Sequence, residues 1–553
     1  MDVLGDRRKR ALERHQRGAL DDAEQRYWAI LADAPDDGET WHYLAVLSGQ
    51  RERPEAVVKY CREALRCGYS SASLYANYGL AQRALGDDAG AQSAFSQSLR
   101  LDPADADLTV EYVRLLRSAG EEAQARDCLL AAVERFPQDA RFHTELGQLA
   151  AELNDGQQAE TALRQAARLD PDAPEAWLNL GSILQMRGDA AAAEAACRQA
   201  LTLDAECDYG YWYLAQMVAE EQDPALAARI IARAAAGAAA SAPPIHFAAG
   251  KVHHDAGRTA AAFAAFAAGN RLIRRSFEYA VDGDISALAQ LRSQLPNDDP
   301  APACAADDEQ PIPIFIVGVP RSGSTLIEHM LARHPAVSAG GEIVWLQRYL
   351  RQAVHHAGLK FPAEQRLLGE AALRSVRQRY HAALQVRQQG QCARYMTDKL
   401  PANYLCIPTI RRLFPAALII HMRRDPRETA WSCYRHLFSG RQSFAYDLVE
   451  LGRYIVAVHG FIDACRARWP GHVVELCYEA LMRDPPMLMR ALLQRLGLEW
   501  EPRCLRPEAT ADLILTASAL QLRRGIAPSA LGSAERYTDF LQPLVSALQP
   551  EKR

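Results

Sequence analysis

One period governs the first half of this chain. Pro35, Pro103, Pro137 and Pro171 stand on a 34-residue grid, with Tyr69 and Ala205 in the same column. A second column reads Gly18, Gly86, Gly120, Asn154 and Gly188, with Glu52 as the exception. A third holds Ala23, Val57, Ala91, Ala125, Ala159 and Ala193, and a fourth Leu31, Leu65, Leu99, Val133, Ala167 and Leu201. Each column has a mechanical meaning. Proline cannot continue a helix and so separates repeats. Glycine permits the left-handed turn between two helices. The small residue lets paired helices approach, and the larger one fills the gap. The period therefore predicts stacked helical hairpins over residues 7–278. Looser copies occur near 210–238 and from His246, and the adjacent His253 and His254 read as surface or packing residues.

A 34-residue helix–turn–helix period resembles the tetratricopeptide repeat, best in PEAWLNLGSILQMRGDAAAAEAACRQALTLD at 174–204. The resemblance implies a superhelix with a concave face that binds a protein or peptide, or else a scaffold for the second half of the chain.

Periodicity then fades. Asp, Pro and Ala dominate PNDDPAPACAADDEQP, so 279–310 reads as a linker. At 553 residues the chain exceeds one core. A second domain is expected over 311–545. There, short apolar runs alternate with helical patterns: Ile312–Val317, Ala393–Thr397, Ala417–Met422 and His472–Cys477. That alternation predicts an α/β domain with a parallel sheet. Ligands of such sheets sit beyond the carboxyl ends of the strands.

Those strand ends carry the chemistry. After the first run comes Arg321-Ser322-Gly323-Ser324-Thr325, opening into a helix. Its backbone N–H groups and the helix N-terminus make an anion cradle. The spacing is close to a P-loop, but Ser324 stands where that motif carries Lys. A nucleotide kinase uses this Lys with Mg²⁺. Its absence, with Asp398 as the only near candidate for Mg²⁺, argues against a kinase and for a less charged transferred group. Asp398-Lys399 follow the second run, Arg423-Arg424-Asp425 the third, and Tyr478-Glu479 the fourth. Cations for phosphates and a ring for a base suit a nucleotide.

These motifs resemble the sulfotransferases that use 3′-phosphoadenosine 5′-phosphosulfate (PAPS), most of all the tyrosylprotein branch and its repeat-containing relatives. VGVPRSGSTLIEHML resembles the family's 5′-phosphosulfate loop, implying cofactor contacts from Arg321, Ser322, Gly323, Ser324 and Thr325. RRDPRETAWSCYRH, 423–436, resembles the 3′-phosphate motif and implies Arg424 and Ser432. GGEIVWL implies Glu342 as catalytic base, and TDKLPAN implies Lys399 as catalytic cation beside Arg321. CYEALMRDP places Tyr478 near the adenine. TASALQLRRG implies Ser518 and Arg523 at the cofactor. The late Lys of the tyrosylprotein branch has no equivalent in ALGSAERY, 530–537. The implied function is sulfuryl transfer from PAPS to a hydroxyl, with a protein or peptide tyrosine favoured. The same chemistry on a small molecule, glycan or lipid, or a repeat-based adaptor with a non-catalytic nucleotide domain, remains open. No metal is expected.

Composition bounds the setting. A net charge of -5 offers no general nucleic-acid signal. Twelve scattered cysteines without a CxxC pair argue for reduced thiols in the cytoplasm and against a zinc site. No signal peptide and no membrane span are expected. Oligomeric state is not readable from the sequence.

Overall fold

The structure is a computed structural model, and it describes residues 3–153, 155–236, 242–296, 310–388, 393–438, 440, 442–509 and 532–549. Ser518 and Arg523, two of the expected cofactor residues, lie outside them. The chain divides into two compact units, Met1–Leu149 and Ala150–Arg553.

The first unit is a run of helical hairpins, from Val3–Gln16 and Leu20–Asp33 to Ala106–Ala119 and Glu122–Arg135. Ala23, Ala91 and Ala125 are fully buried and Val57 is 3% exposed, as the small-residue column requires. The turn column adopts the left-handed conformation, with φ of 78° at Gly18, 80° at Gly86 and 79° at Gly120. Glu52 holds the same geometry at φ 55°, so the position demands the conformation even where glycine is missing. Several second helices start on an aspartate cap: Asp87 accepts from Gly90 N–H, and in the second unit Asp155 accepts from Gln158 N–H and Asp189 from Ala192 N–H.

The second unit holds the later hairpins and the sheet in one body. Helices Pro174–Arg187, Asp208–Met217, Pro243–Asp255 and Thr259–Arg274 continue the repeat. The last two carry Phe247, Ala262 and Phe266 into the same core as Phe315 and Trp431. Phe266 meets the Trp431 ring edge-on at 5.8 Å. Asn270 Nδ2 donates to Tyr434 O at 2.7 Å. His254 is buried, a packing residue as expected, and takes part in two contacts. Arg435 donates to its Nε2 at 2.9 Å, so its Nδ1 carries the proton and donates to Tyr537 Oη at 2.6 Å. Burial, then the Arg435 charge, pull its pKa down to about 4 and keep it neutral.

The stretch expected as linker is helical over Val281–Ser293. Val281, Leu288 and Leu291 recur at helical spacing and are buried in the same core, against helix Leu448–Arg468. The acidic composition around it had masked this apolar stripe.

The sheet has five parallel strands: β1 Ile312–Gly318, β2 Val337–Ser338, β3 Tyr395–Asp398, β4 Leu418–Arg423 and β5 Val473–Cys477, in the order β2-β3-β1-β4-β5. All four expected runs are strands. β2, only two residues long, has no sequence signature. Helices cover both faces: Phe315, Val317 and Ile419 enter one core, Ile314, Ile316 and Ile420 the other. That double burial explains why the strands read as continuous apolar runs. Because β1 lies between β3 and β4, their carboxyl ends converge at one point.

Candidate active site

The loop leaving β1 is built for close approach. Arg321 sits at φ 68°, a left-handed conformation that is strained for a residue with a side chain. Gly323, at φ 99°, packs so tightly that any side chain there would collide with the Tyr478 ring. Helix Ser324–Ala332 then begins with no side-chain cap, its Leu326 and Ile327 N–H groups donating to Gly323 O at 3.1 and 3.3 Å, and its positive end faces the loop. Ser324 and Thr325 are buried, and Ser322 Oγ is buried with no hydrogen-bond partner among the described residues. A helix N-terminus without a side-chain cap, beside that hydroxyl, is a setting that an anion would satisfy.

Four basic side chains gather around this cradle. Arg321 Nε donates to Ser432 Oγ at 3.2 Å, joining the β1 loop to helix Pro426–Tyr434. The Arg424 guanidinium lies 4.8 Å from the Tyr478 ring centre and pairs with Glu428 at 3.1 Å. Burial, with the Arg435 and Arg424 charges, pulls the Arg321 pKa down to about 10. Burial and Arg424 lower that of Arg435. Burial, Arg321 and Arg435 push His436 well below its usual value, so it is a neutral imidazole. Arg424 and Arg435 both act on Arg321, and Arg424 acts on Arg435, so an anion among these charges would relieve the repulsion.

Glu342 and Lys399 meet on the opposite side. The chain after β2 crosses β3 so closely that a side chain at Gly340 would collide with Thr397 O. Gly341 N–H donates to Glu328 at 2.9 Å, Thr397 Oγ1 donates to the same carboxylate oxygen at 2.8 Å, and Lys399 N–H donates to Gly341 O at 2.9 Å. These bonds hold Lys399 Nζ 2.8 Å from Glu342 Oε1. The Lys399 side chain is 0% exposed and that of Glu342 47%.

Next to this pair, the Asp398 carboxylate accepts from Tyr380 Oη at 2.7 Å and Asn403 Nδ2 at 2.9 Å. Burial outweighs these bonds and raises its pKa to about 7. A folded-state pKa above the unfolded value of 3.8 means that the native state binds the extra proton. Its contribution to stability is therefore complete below about pH 4 and is lost as pH rises toward 7. Urea unfolding should show stability falling by roughly 1.4 kcal/mol per pH unit in that window from this group. In Asp398→Asn this component of the slope should vanish, and an unchanged slope would remove the assignment.

A cavity of about 410 Å³ opens onto the site. Arg321, Ser324, Thr325, Glu342 and His436 line it. Lys399, Arg424, Ser432 and Tyr478 are not among its lining residues; Lys399 communicates with it through Glu342. The structure thus gathers the expected residues into two neighbouring groups, a cation-rich one around Arg424 and Ser432 and a cavity around Arg321 and Glu342. Tyr478 is buried, packed between Gly323 and Arg424.

Sequence reasoning missed Glu328, Glu428, Arg435 and His436. Glu428 accepts from Ala534 N–H at 2.7 Å and Ser533 Oγ at 2.9 Å, fastening the late segment onto the Arg424 helix. Its spacing four residues after Arg424 was the available signal. Among the described residues one group, His421, Asp463 and Glu475, brings three metal-ligand atoms within 4.8 Å of one another. Arg423 and Arg466 pair with both of its carboxylates and neutralise them.

Residues 313–502 match the model of the sulfotransferase family, and 82–149 and 144–210 match tetratricopeptide repeat models. The chain joins tetratricopeptide repeats to a sulfotransferase-family domain. It is 32% identical over 252 residues to an uncharacterized protein of Aquifex aeolicus, covering 43% of this chain and 32% of that one. It is 31% identical over 211 residues to protein-tyrosine sulfotransferase 2 of Gallus gallus, covering 36% and 54%. It is 28% identical over 244 residues to protein-tyrosine sulfotransferase 1 of Homo sapiens, covering 42% and 64%. The matches span 32% to 64% of the length of these relatives.

Proposed function

We propose that this chain is a PAPS-dependent sulfotransferase whose acceptor is a tyrosine hydroxyl of a protein or peptide. The observation that carries the reading is the cluster of Arg321, Arg424 and Arg435 around a helix start without a side-chain cap, beside the Glu342–Lys399 pair. The sulfotransferase family match and the protein-tyrosine sulfotransferase relatives support it.

The donor would bring an activated sulfuryl group on a phosphate. Ser322, Ser324, Thr325 and the loop amides would hold its 5′ end. Arg424 and Ser432 would hold the 3′-phosphate, where a guanidinium can bond two oxygens at once. Glu342 takes the proton from the acceptor hydroxyl as the new O–S bond forms. The old S–O bond breaks, and its electron pair stays on the departing phosphate. Lys399 and Arg321 stabilise the charge developing there and on the sulfuryl oxygens. That charge is met by fixed cations where a kinase would use Mg²⁺ and the P-loop Lys, which Ser324 replaces.

The setting is read as cytoplasmic. The described cysteines are all unpaired, which supports a reducing compartment. Among the described residues no helix is long and apolar enough to cross a membrane.

Calorimetric titration with 3′,5′-adenosine bisphosphate, beside ATP–Mg²⁺, tests the reading. The bisphosphate should bind without metal, and Arg424→Ala should raise its Kd about 100-fold by removing a bidentate charge-assisted contact. Unchanged affinity in the folded variant would remove the 3′-phosphate assignment. Preferential ATP–Mg²⁺ binding would overturn the sulfotransferase reading.

A further inference from the structure

The cavity at Glu342 has a wall that no sulfotransferase motif supplies. Tyr209, Trp212, Tyr213 and Gln216 line it from the repeat helix Asp208–Met217, with Met186 beside them at the end of helix Pro174–Arg187. Their spacing of three, four and seven residues is one face of a helix. Trp212 packs against both the sheet core and the repeat core, which fixes this face to the catalytic domain. The Trp212 and Tyr213 rings meet at 4.8 Å, while Tyr209 is 52% exposed. Tyr404, Tyr454 and Phe438 line the same cavity.

The charge pattern is equally informative. Among the described lining residues only Arg321 and Glu342 carry charge, and both belong to the reaction. The remaining polar wall groups include three primary amides, Gln185, Gln216 and Gln442. An amide side chain offers both a donor and an acceptor, which matches a peptide group. At about 410 Å³ the space suits one aromatic side chain with its flanking backbone.

We propose that the repeat face of Tyr209, Trp212, Tyr213 and Gln216, with Met186, is the acceptor-binding wall of the active site, and that it takes a tyrosine flanked by uncharged residues. The proposal rests on the sulfotransferase reading. It makes the repeats part of the active site, since without them the cavity would lack one side. Aromatic rings clamp the phenol, the glutamine amides pair with the main chain, and none of Met186, Tyr209, Trp212, Tyr213 and Gln216 is a cation that would reward an acidic flank.

The test uses the full chain, PAPS and two synthetic peptides, one with a tyrosine between uncharged residues and one with the same tyrosine between aspartates. The uncharged peptide should have a KM equal to or below that of the acidic one. Tyr209→Ala and Gln216→Ala should each raise that KM about tenfold, as expected for truncating an interface anchor, while the bisphosphate Kd stays within about twofold. Tyr209→Phe should retain most of the wild-type KM. Unchanged KM in the alanine variants would overturn the wall, as would tenfold preference for the acidic peptide or transfer to a sugar hydroxyl in place of either peptide. Failure of the wild-type protein to bind the bisphosphate would instead remove the underlying reading, and this proposal with it.

Discussion

Lys399→Met is expected to lower kcat by about 100- to 1,000-fold, the usual loss when one preorganised charge donor to a transition state is removed. Methionine keeps the unbranched shape and removes only the charge. The reason for so large an effect is burial. The Lys399 side chain is 0% exposed, and a charge held away from water acts at full strength with little reorganisation. The fold should tolerate the change, because the abandoned partner, Glu342, is 47% exposed and keeps water around it. Near-wild-type circular dichroism and bisphosphate binding, with collapsed turnover, is the expected pattern. Glu342→Gln should also collapse turnover, and the double variant should lose much less than the product of the two, since the residues act as a unit. A kcat within about threefold of wild type in Lys399→Met would show a merely structural lysine.

The largest expected loss of stability comes from Trp431→Ala, at about 3–5 kcal/mol. Trp431 is fully buried and touches rings from three directions: Tyr537 at 4.0 Å, Phe266 at 5.8 Å and Phe263 at 6.3 Å. Two of those rings come from the last repeat helix. The cavity left by alanine would open at the joint between repeats and sheet, beside Ser432. Chemical denaturation should show the loss, and bisphosphate affinity should fall with it. Trp431→Phe should cost far less, because the indole N–H is buried without a hydrogen-bond partner among the described residues and its removal relieves a desolvated donor. A change under about 1 kcal/mol in Trp431→Ala would mean that the repeat helices are not held by this ring.

Much of the molecule was legible in the chain itself. The repeat announced itself because proline, glycine and small residues act locally: Gly18, Gly86 and Gly120 take the left-handed turn their column implied. Even the exception, Glu52, kept the backbone geometry of the column. The strands of the α/β domain were legible because each is buried on both faces and so uninterrupted by polar residues. The loop after β1 was legible because its glycines, hydroxyls and helix start are consecutive.

Other features could not be read that way. The Val281–Ser293 helix was hidden by the acidic, proline-rich stretch immediately after it. β2 is too short to leave a pattern. The resemblance implied Glu342 and Lys399 separately but not their pairing across 57 residues, which depends on Glu328, whose position in an ordinary helix gave no hint.

The sequence by itself determined the local elements: the hairpin period, the strand runs and the anion cradle at Arg321–Thr325, all of which arise from backbone sterics and burial within a few residues. Tertiary structure alone decided what converges on that cradle. The strand order β2-β3-β1-β4-β5 brings Lys399 and Arg424 to either side of the loop, and Phe263, Phe266 and His254 bind the last repeats to the Trp431 helix and its end at Arg435. Only that docking puts Trp212 and Tyr213 in the same cavity as Glu342, because side chains far apart along the chain become neighbours through the packing of whole elements and not through any sequence spacing.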